Sequence, residues 1–172
     1  MYLFFGQIRR YKNVPALIEA FDEISNHDST LVVAGRPRTS ALLARVRSLG
    51  NATENVVLRL DWIPSDEVQV YFNAADVVVL PYRDVLTSGT AILAQSFGRP
   101  VIAPRLGCLP DGRRSPSSIL YSPNDSSQLQ EAMIVAKSES DGLLDGERTA
   151  RDVSVPWETV ATQVRAVYEN TG

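Results

Sequence analysis

The sequence predicts an α/β fold: a doubly wound, Rossmann-like parallel sheet of about six strands, covered by helices on both faces. Three observations support this prediction. Short apolar runs rich in Val, Ile and Leu recur along the chain, amphipathic segments separate them, and the connections are brief. Strand–helix alternation with short connections favours a parallel sheet with right-handed crossovers.

Six apolar runs are the predicted strands. They alternate little between apolar and polar residues, which is typical of strands buried on both faces. The runs are YLFF (2–5), TLVVAG (30–35), NVVLRL (55–60), DVVVLPY (76–82), PVIAP (100–104) and SILY (118–121). Ligands of such sheets bind beyond the carboxyl ends of the strands. We expect the first and fourth strands to lie near each other, so the loops after them should share one crevice.

The segments between the runs carry apolar residues at helical spacing. The predicted helices cover 13–26, 39–49, 65–74, 88–98, 126–137 and a closing helix at about 156–169. Capping signals accompany three of them: Asn13 and Ser65 before the first and third helices, and Gly50 after the second. The polar residues 138–154 predict an exposed turn, with or without a short helix.

Composition limits both the size of the fold and its partners. The 172 residues are 44% hydrophobic and 22% charged, and no Pro/Gly/Ser-rich linker divides them, so we expect 1–172 to be a single domain. A net charge of −3 argues against nucleic acid as a partner. The single cysteine excludes an internal disulfide. Because the chain also has only one histidine, a His/Cys zinc site is unexpected.

Localisation signals are missing from the sequence. No signal peptide is evident, and no apolar stretch approaches the roughly 18 residues of a membrane span. The first predicted strand begins at the second residue, which is how a domain looks when it has been cut from a longer chain. We expect a cytoplasmic domain whose other half precedes it.

A basic loop follows the first predicted strand. Gly6 opens it, and Gln7, Arg9, Arg10 and Lys12 follow before the first helix. Cations at a helix N-terminus suit an anion, because free N–H groups and the helix dipole add to the side-chain charge. The alternative is a solvated basic loop that binds nothing.

The turn after the fourth predicted strand, Thr87-Ser88-Gly89-Thr90, has two interpretations. Thr87 or Ser88 is suited to cap the next helix, which contributes ~1 kcal/mol. A cap alone does not need Gly89, since glycine inside a helix costs up to ~1 kcal/mol relative to alanine. Small residues let a ligand approach the backbone, so the turn is either a cap only or also a cradle for phosphates.

Two further loops follow strands. Asp61-Trp62-Ile63-Pro64 comes after the third strand, and Trp62 there is suited to wall the ring of a ligand. The alternative is a tryptophan packed on the edge of the domain. The second strand is followed by GRPR (35–38), a turn with two arginines.

Five stretches of the chain together resemble a known family. They are LFFGQIRRYKNVPALIEAF, LVVAGRP, LDWIPSDEVQVYFNAADVVVLPY, SGTAILAQSFGRPVIAPRLGCLPD and VPWETVATQVRAVYE, in this order and at the expected spacing. The set resembles the C-terminal domain of retaining GT-B glycosyltransferases of family 4. The resemblance covers essentially the whole chain, which would then be one half of a GT-B fold.

This resemblance implies a domain that binds a nucleotide-diphosphate sugar, with the acceptor held by a missing N-terminal domain across a cleft. Gly6 then begins the phosphate loop and Lys12 is the phosphate-binding lysine. Gln7 stands where the family often has arginine, so one cation is absent. Arg9 or Arg10 is the substitute that the sequence offers.

The resemblance assigns two further segments and reveals one departure. It implies that the Asp61–Ile63 loop contacts the base and that the amides of the Thr87–Thr90 turn meet the diphosphate and the sugar. Many members carry two glutamates eight residues apart, and here Val85 and Leu93 occupy those positions. Asp84 is adjacent to the first and is our candidate replacement, while nothing replaces the second, which usually holds the ribose.

The resemblance also implies the chemistry. Configuration at the anomeric carbon is retained, no metal or cofactor is required, and cations and N–H dipoles stabilise the charge that develops on the diphosphate. The sequence contains no Asp-x-Asp metal motif. We expect His27 at the surface and Cys108 as a small buried thiol, with a place at the border of the cleft as the alternative for Cys108.

Three functions stay open. The first is the donor domain of a hexosyltransferase, either cut from its N-terminal half or paired with it as a separate chain. Alone, this domain should be inactive, and only the missing half would touch a membrane. The second is a non-catalytic binding or assembly module. The third is another enzyme of phosphorylated ligands, such as an epimerase of UDP-sugars.

Overall fold

The computed structural model describes residues 1–25, 28–85, 87–107, 118–123 and 125–142. Within them lie six strands: β1 (Tyr2–Phe5), β2 (Leu31–Ala34), β3 (Val56–Arg59), β4 (Val77–Val79), β5 (Val101–Pro104) and β6 (Ile119–Tyr121). The same residues form five α-helices: α1 (Val14–Ile24), α2 (Ser40–Ala52), α3 (Val68–Ala74), α4 (Gly89–Ser96) and α5 (Ser126–Gly142).

The strands form one sheet in the order β3-β2-β1-β4-β5-β6, and every neighbouring pair is parallel. The chain runs outward from β1 to β3, then crosses back to β4 on the other side of β1. This reversal is the switch point of a doubly wound sheet. The predicted fold class is therefore confirmed, and so is the proximity of the first and fourth strands.

Helices cover both faces of the sheet. Tyr2 packs edge-on against Phe21 of α1, with ring centroids 5.9 Å apart, whereas Phe5 packs against Phe72 of α3 at 5.0 Å. Tyr2 and Phe5 are three residues apart on β1, so their side chains point to opposite faces. α2 and α5 both pack on α1, which places them in its layer.

The edge strand β3 departs from the expected pattern. We expected all six strands to be buried on both faces, but residues of β3 alternate between partly buried and exposed, and Val57 is 52% exposed. The prediction was wrong for this strand, because the sheet ends there and one of its faces meets solvent. β1, β2, β4 and β5 are buried almost throughout.

Three helix boundaries also differ from the prediction. Asn13 precedes α1 in a left-handed conformation, but its side chain makes no capping hydrogen bond. Ser65 does not cap α3, which begins at Val68 after a turn. Gly50 lies inside α2 and does not end it. The small residue suits this position because a methyl group built there would lie 2.8 Å from the Leu58 side chain.

The last described helix is longer than predicted. α5 continues to Gly142, so the first residues of the polar 138–154 segment are helical. His27, Cys108 and the closing helix predicted over 156–169 lie outside the described residues, and the predictions for them stay predictions.

Candidate functional site

The loops after β1 and β4 meet at the switch point of the sheet. The Thr90 hydroxyl, in the first turn of α4, donates a hydrogen bond to the Phe5 carbonyl at the end of β1, with an Oγ1–O distance of 3.3 Å. The predicted proximity of these two loops is therefore observed, and the surface between them is called the crevice below.

The loop after β1 is fixed by a second loop beside it. The Ile8 amide donates to the Arg36 carbonyl at 3.0 Å, and the Arg38 amide donates to the Ile8 carbonyl at 2.9 Å. These bonds extend the pairing of β1 and β2 past the ends of both strands. Gly35 allows this approach, because a methyl group built on it would lie 2.1 Å from the Gly6 carbonyl oxygen.

Gly6 lies beside a charged group of the first loop and a polar group of the α4 turn. Its φ of +112° is a conformation that favours glycine. A methyl group built on Gly6 would lie 3.2 Å from Lys12 Nζ and 3.4 Å from Thr90 Oγ1. An ammonium from the first loop and a hydroxyl from the α4 turn therefore flank the same backbone position.

Lys12 ends a short 3-10 turn (Arg10–Lys12), and its side chain is held between aromatic rings. The ammonium lies 5.3 Å from the ring centroid of Tyr82 and 5.8 Å from that of Phe4. Among the described residues, no carboxylate forms an ion pair with it. Burial lowers the pKa of Lys12; Tyr11 opposes this shift and the nearby Arg9 charge adds to it.

The α4 turn is capped by Ser88. Its Oγ accepts a hydrogen bond from the Ala91 amide at 3.2 Å, so of the two predicted caps Ser88 is the one used. Ser88 is buried, whereas Thr87 is exposed. A methyl group built on Gly89 would have no heavy atom within 4 Å, so packing does not require glycine there.

Tyr82 is the residue of this site that sequence reasoning missed. It is 2% exposed, and its hydroxyl lies 3.5 Å from Ser88 Oγ. Burial raises the pKa of Tyr82, and hydrogen bonds with Ser88 and Thr90 partly offset that shift. The signal in the sequence was the tyrosine that ends the DVVVLPY run, five residues before the Thr87–Thr90 turn.

Other predicted site residues lie outside the cluster formed by Lys12, Tyr82, Ser88 and Thr90. Arg9 and Gln7 are exposed and bond each other, with 2.7 Å between Arg9 Nε and Gln7 Oε1. Asp84 is exposed. Val85 and Leu93, which occupy the positions of the family's glutamates, are partly buried and pack against the hydrophobic core.

The loop predicted to contact a base lies at the far edge of the sheet. It follows β3, two strand spacings or about 10 Å from β1. Trp62 is 73% exposed, so the alternative of a tryptophan packed on the domain edge is wrong. Ile63 is buried. Asp61 forms an ion pair with Arg59, with 3.9 Å between Asp61 Oδ2 and Arg59 Nη1.

The described residues contain neither a metal-binding cluster nor a membrane-spanning helix. No group of three or more His, Cys, Asp or Glu side chains in them is arranged to hold a metal ion. None of the helices described has both the length and the hydropathy needed to cross a membrane.

A doubly wound sheet with a cation and a helix N-terminus at its switch point is typical of α/β proteins that bind phosphorylated ligands. The family to which the chain belongs follows from a match to its sequence. The model of the "Glycosyl transferases group 1" family matches residues 1–137, so the chain belongs to that family.

Relatives and a solved structure agree with this membership. The chain is 31% identical to the "GDP-mannose:glycolipid 4-beta-D-mannosyltransferase" of Xanthomonas campestris pv. campestris over 102 residues, covering 59% of the chain and 29% of that protein. It is 27% identical to the "D-inositol 3-phosphate glycosyltransferase" of Corynebacterium diphtheriae, covering 96% of the chain and 41% of that protein. The chain thus spans less than half the length of either relative.

The fold also matches a known glycosyltransferase. The catalytic domain of starch synthase IV from Arabidopsis thaliana, solved with ADP and acarbose, superposes with a TM-score of 0.79. The match covers 98% of the chain and 38% of the synthase at 15% identity. The chain has the GT-B, Rossmann-like fold of a C-terminal glycosyltransferase domain.

Proposed function

We propose that the chain is the donor half of a glycosyltransferase of the hexosyltransferase type and binds a nucleotide-diphosphate sugar at the β1–β4 crevice. The single observation that carries this proposal is that Lys12 Nζ and Thr90 Oγ1 both lie beside Gly6, 3.2 Å and 3.4 Å from a methyl group built on it. A diphosphate presents several anionic oxygens that accept hydrogen bonds, and the Lys12 ammonium is suited to donate to them. In this proposal the Thr90 hydroxyl exchanges its hydrogen bond to the Phe5 carbonyl for one to a diphosphate oxygen.

The chemistry asked of this site is stabilisation of a leaving group. As the bond between the sugar and the diphosphate breaks, negative charge builds up on the diphosphate oxygens. A fixed ammonium and the free amides at the start of α4 stabilise that charge without reorganising. Lys12 is partly buried beside two aromatic rings, so the local dielectric is lower than that of bulk water and this interaction is stronger there.

The remaining assigned residues surround this centre. In this proposal the Asp61–Ile63 loop contacts the base, with the exposed Trp62 ring available for stacking. Arg9 supplies the charge that Gln7 does not, and its contact with Gln7 keeps both side chains on the loop. Asp84 is exposed on the segment before the turn, where it stands in for the first glutamate of the family.

Retention of configuration, without a metal or cofactor, is the proposed stereochemistry, in keeping with family 4. The Xanthomonas relative is named for a β-D-mannosyl product, so the stereochemical outcome needs its own test. The NMR coupling constant of the anomeric proton in the first product decides it. Inversion relative to the donor would overturn retention and leave donor binding intact.

The acceptor side of the reaction lies outside this chain in our proposal. The matched relatives are more than twice as long, and we propose that a preceding domain, on the same chain or another, holds the acceptor and makes any membrane contact. The 172 residues then form one domain that works in the cytoplasm and transfers little or no sugar alone.

Calorimetric titration with UDP, GDP and ADP tests donor binding. Lys12→Ala should weaken the preferred nucleotide roughly tenfold to a hundredfold, as expected for loss of a charge-assisted hydrogen bond. The chain has one other lysine, Lys137, whose ammonium bonds Ser29 near the amino ends of the strands. Lys137→Ala is therefore the matched control and should bind like the wild type. No binding of any of the three at millimolar concentration would overturn the proposal.

A non-catalytic binding module is the second candidate, favoured by one observation. Val85 and Leu93 contribute packing against the core where many family members have glutamates, so the ribose contact expected there is absent. Activity of the chain together with its N-terminal half decides between the two. Nucleotide binding without transfer to any acceptor would support the module.

A further inference from the structure

We propose that Tyr82 is a positioning residue that joins the two sides of the crevice. Its ring holds the Lys12 ammonium of the first loop, and its hydroxyl holds Ser88 of the α4 turn. One side chain thereby sets the distance between the cation and the helix start. This inference rests on the proposed function, since the geometry it sets is that of the diphosphate site.

The ring of Tyr82 restricts where Lys12 can point. A lysine side chain has four rotatable bonds, and an exposed one samples many rotamers. Here the ammonium lies 5.3 Å from the Tyr82 centroid and 5.8 Å from that of Phe4, both within the range of cation–π attraction. The two rings keep the charge beside Gly6, with no carboxylate partner among the described residues.

The hydroxyl of Tyr82 reaches the other side of the crevice. It lies 3.5 Å from Ser88 Oγ, which already accepts the Ala91 amide as the cap of α4. The Tyr82 hydroxyl is protonated at physiological pH, since its pKa is raised above the ordinary value of 10, and in this contact either hydroxyl can be the donor. Ser88 Oγ therefore contacts the Tyr82 hydroxyl as well as the Ala91 amide. The ring of the same tyrosine contacts the Lys12 ammonium.

Tyr82 is itself held by the first loop. The Tyr11 ring meets it edge-on at 6.0 Å, and the Tyr11 carbonyl accepts the Arg83 amide at 2.8 Å. The segment after β4 is thus pinned to the residue just before Lys12. Movement of either loop would shift the other through these contacts.

The experiment separates the ring of Tyr82 from its hydroxyl. Tyr82→Phe keeps the ring and removes the hydroxyl, and Tyr82→Leu removes both. Tyr2→Phe and Tyr2→Leu are the matched controls, because Tyr2 is also buried, also packs edge-on against a ring and also uses its hydroxyl, here to the Met133 carbonyl. Calorimetry measures Kd for a nucleoside diphosphate and for the corresponding monophosphate.

A second measurement reports on Lys12 directly. The pH profile of amine labelling, read by mass spectrometry, gives the pKa of each lysine in one sample, and Lys137 serves as the internal reference. A purely structural role for Tyr82 would leave this profile unchanged in a folded variant.

For Tyr82→Leu we expect a Kd for the diphosphate about tenfold weaker, as loss of a desolvated cation–π contact implies. The monophosphate Kd should change less, and the pKa of Lys12 should fall further, because the leucine preserves burial without attracting the charge. Tyr82→Phe should keep the wild-type Lys12 profile and lose about threefold in diphosphate affinity, since one neutral hydrogen bond is removed.

Two results would overturn the role of Tyr82: variants that bind the diphosphate like the Tyr2 controls, or equal losses for diphosphate and monophosphate with an unchanged Lys12 profile. If Tyr82→Leu does not fold, Tyr82→Phe decides, and wild-type affinity in it overturns the proposal. A wild-type chain that binds no nucleoside diphosphate instead overturns the proposed function itself.

Discussion

The two sides of the crevice stabilise an anion by different means. The loop after β1 offers a full charge, Lys12, on a backbone bonded to the neighbouring loop. The turn after β4 offers only dipoles: the Thr90 hydroxyl and the free amides at the start of a capped helix. The comparison indicates that the charge and the dipoles come from separate groups, which substitutions can remove one at a time, although Tyr82 contacts both sides.

The largest expected effect is on the charged side. Gly35→Ala should lower the free energy of unfolding by about 3 kcal/mol or more, because φ is +145° and the methyl group would clash with the Gly6 carbonyl. Urea unfolding measures the change. A loss under about 1 kcal/mol would mean that the two loops separate easily, contrary to their bonded arrangement.

Loss of the Ser88 cap of α4 should lower stability less than Gly35→Ala does. Ser88→Ala should cost about 1 kcal/mol of stability and weaken binding of the nucleoside diphosphate several-fold. Thr39→Ala is the matched control, since Thr39 Oγ1 caps a different helix, α2, by accepting the Leu42 amide at 3.3 Å. It should cost about as much stability and leave binding unchanged. Equal binding losses in both variants would refute a specific role for Ser88.

Gly89→Ala should have a smaller effect, and of opposite sign on stability. The site is open, so alanine should raise the free energy of unfolding by up to about 1 kcal/mol. If a phosphate approaches the backbone there, affinity for the diphosphate should fall at the same time. A variant that is more stable and binds equally well would show that the turn is a helix cap and no cradle.

The smallest effect is the pH dependence contributed by Lys12. Its pKa is lowered from 10.5 in the folded chain, so between that lowered value and 10.5 the unfolded chain binds more protons and stability rises with pH. Lys12→Met should remove this contribution. The variant should therefore gain stability over the wild type at neutral pH, and the gain should shrink as the pH rises from the lowered pKa to 10.5 and be lost above it. Urea unfolding from pH 7 to 11 tests this, and a constant difference contradicts it.

Periodicity was sufficient to predict the sheet but not the details of the site. Six apolar runs separated by helical segments predict a doubly wound fold, and its switch point brings the loops of Lys12 and Thr90 together. Gly50 was wrongly predicted to end a helix, because what favours glycine there is the close approach of Leu58, which lies on another element. Tyr82 was missed for the same reason: its neighbours come from two loops, and only the folded chain shows that they meet.

The backbone pairing beyond β1 has a consequence for the energetics of ligand capture. The amides of Gly6, Ile8, Gly35 and Arg38 are all hydrogen-bonded to carbonyls of adjacent segments. Their hydrogens should exchange with deuterated solvent as slowly as those of the central strands, although they belong to loops. A loop already ordered in this way loses little conformational entropy when an anion arrives, so more of the interaction energy is expressed as affinity.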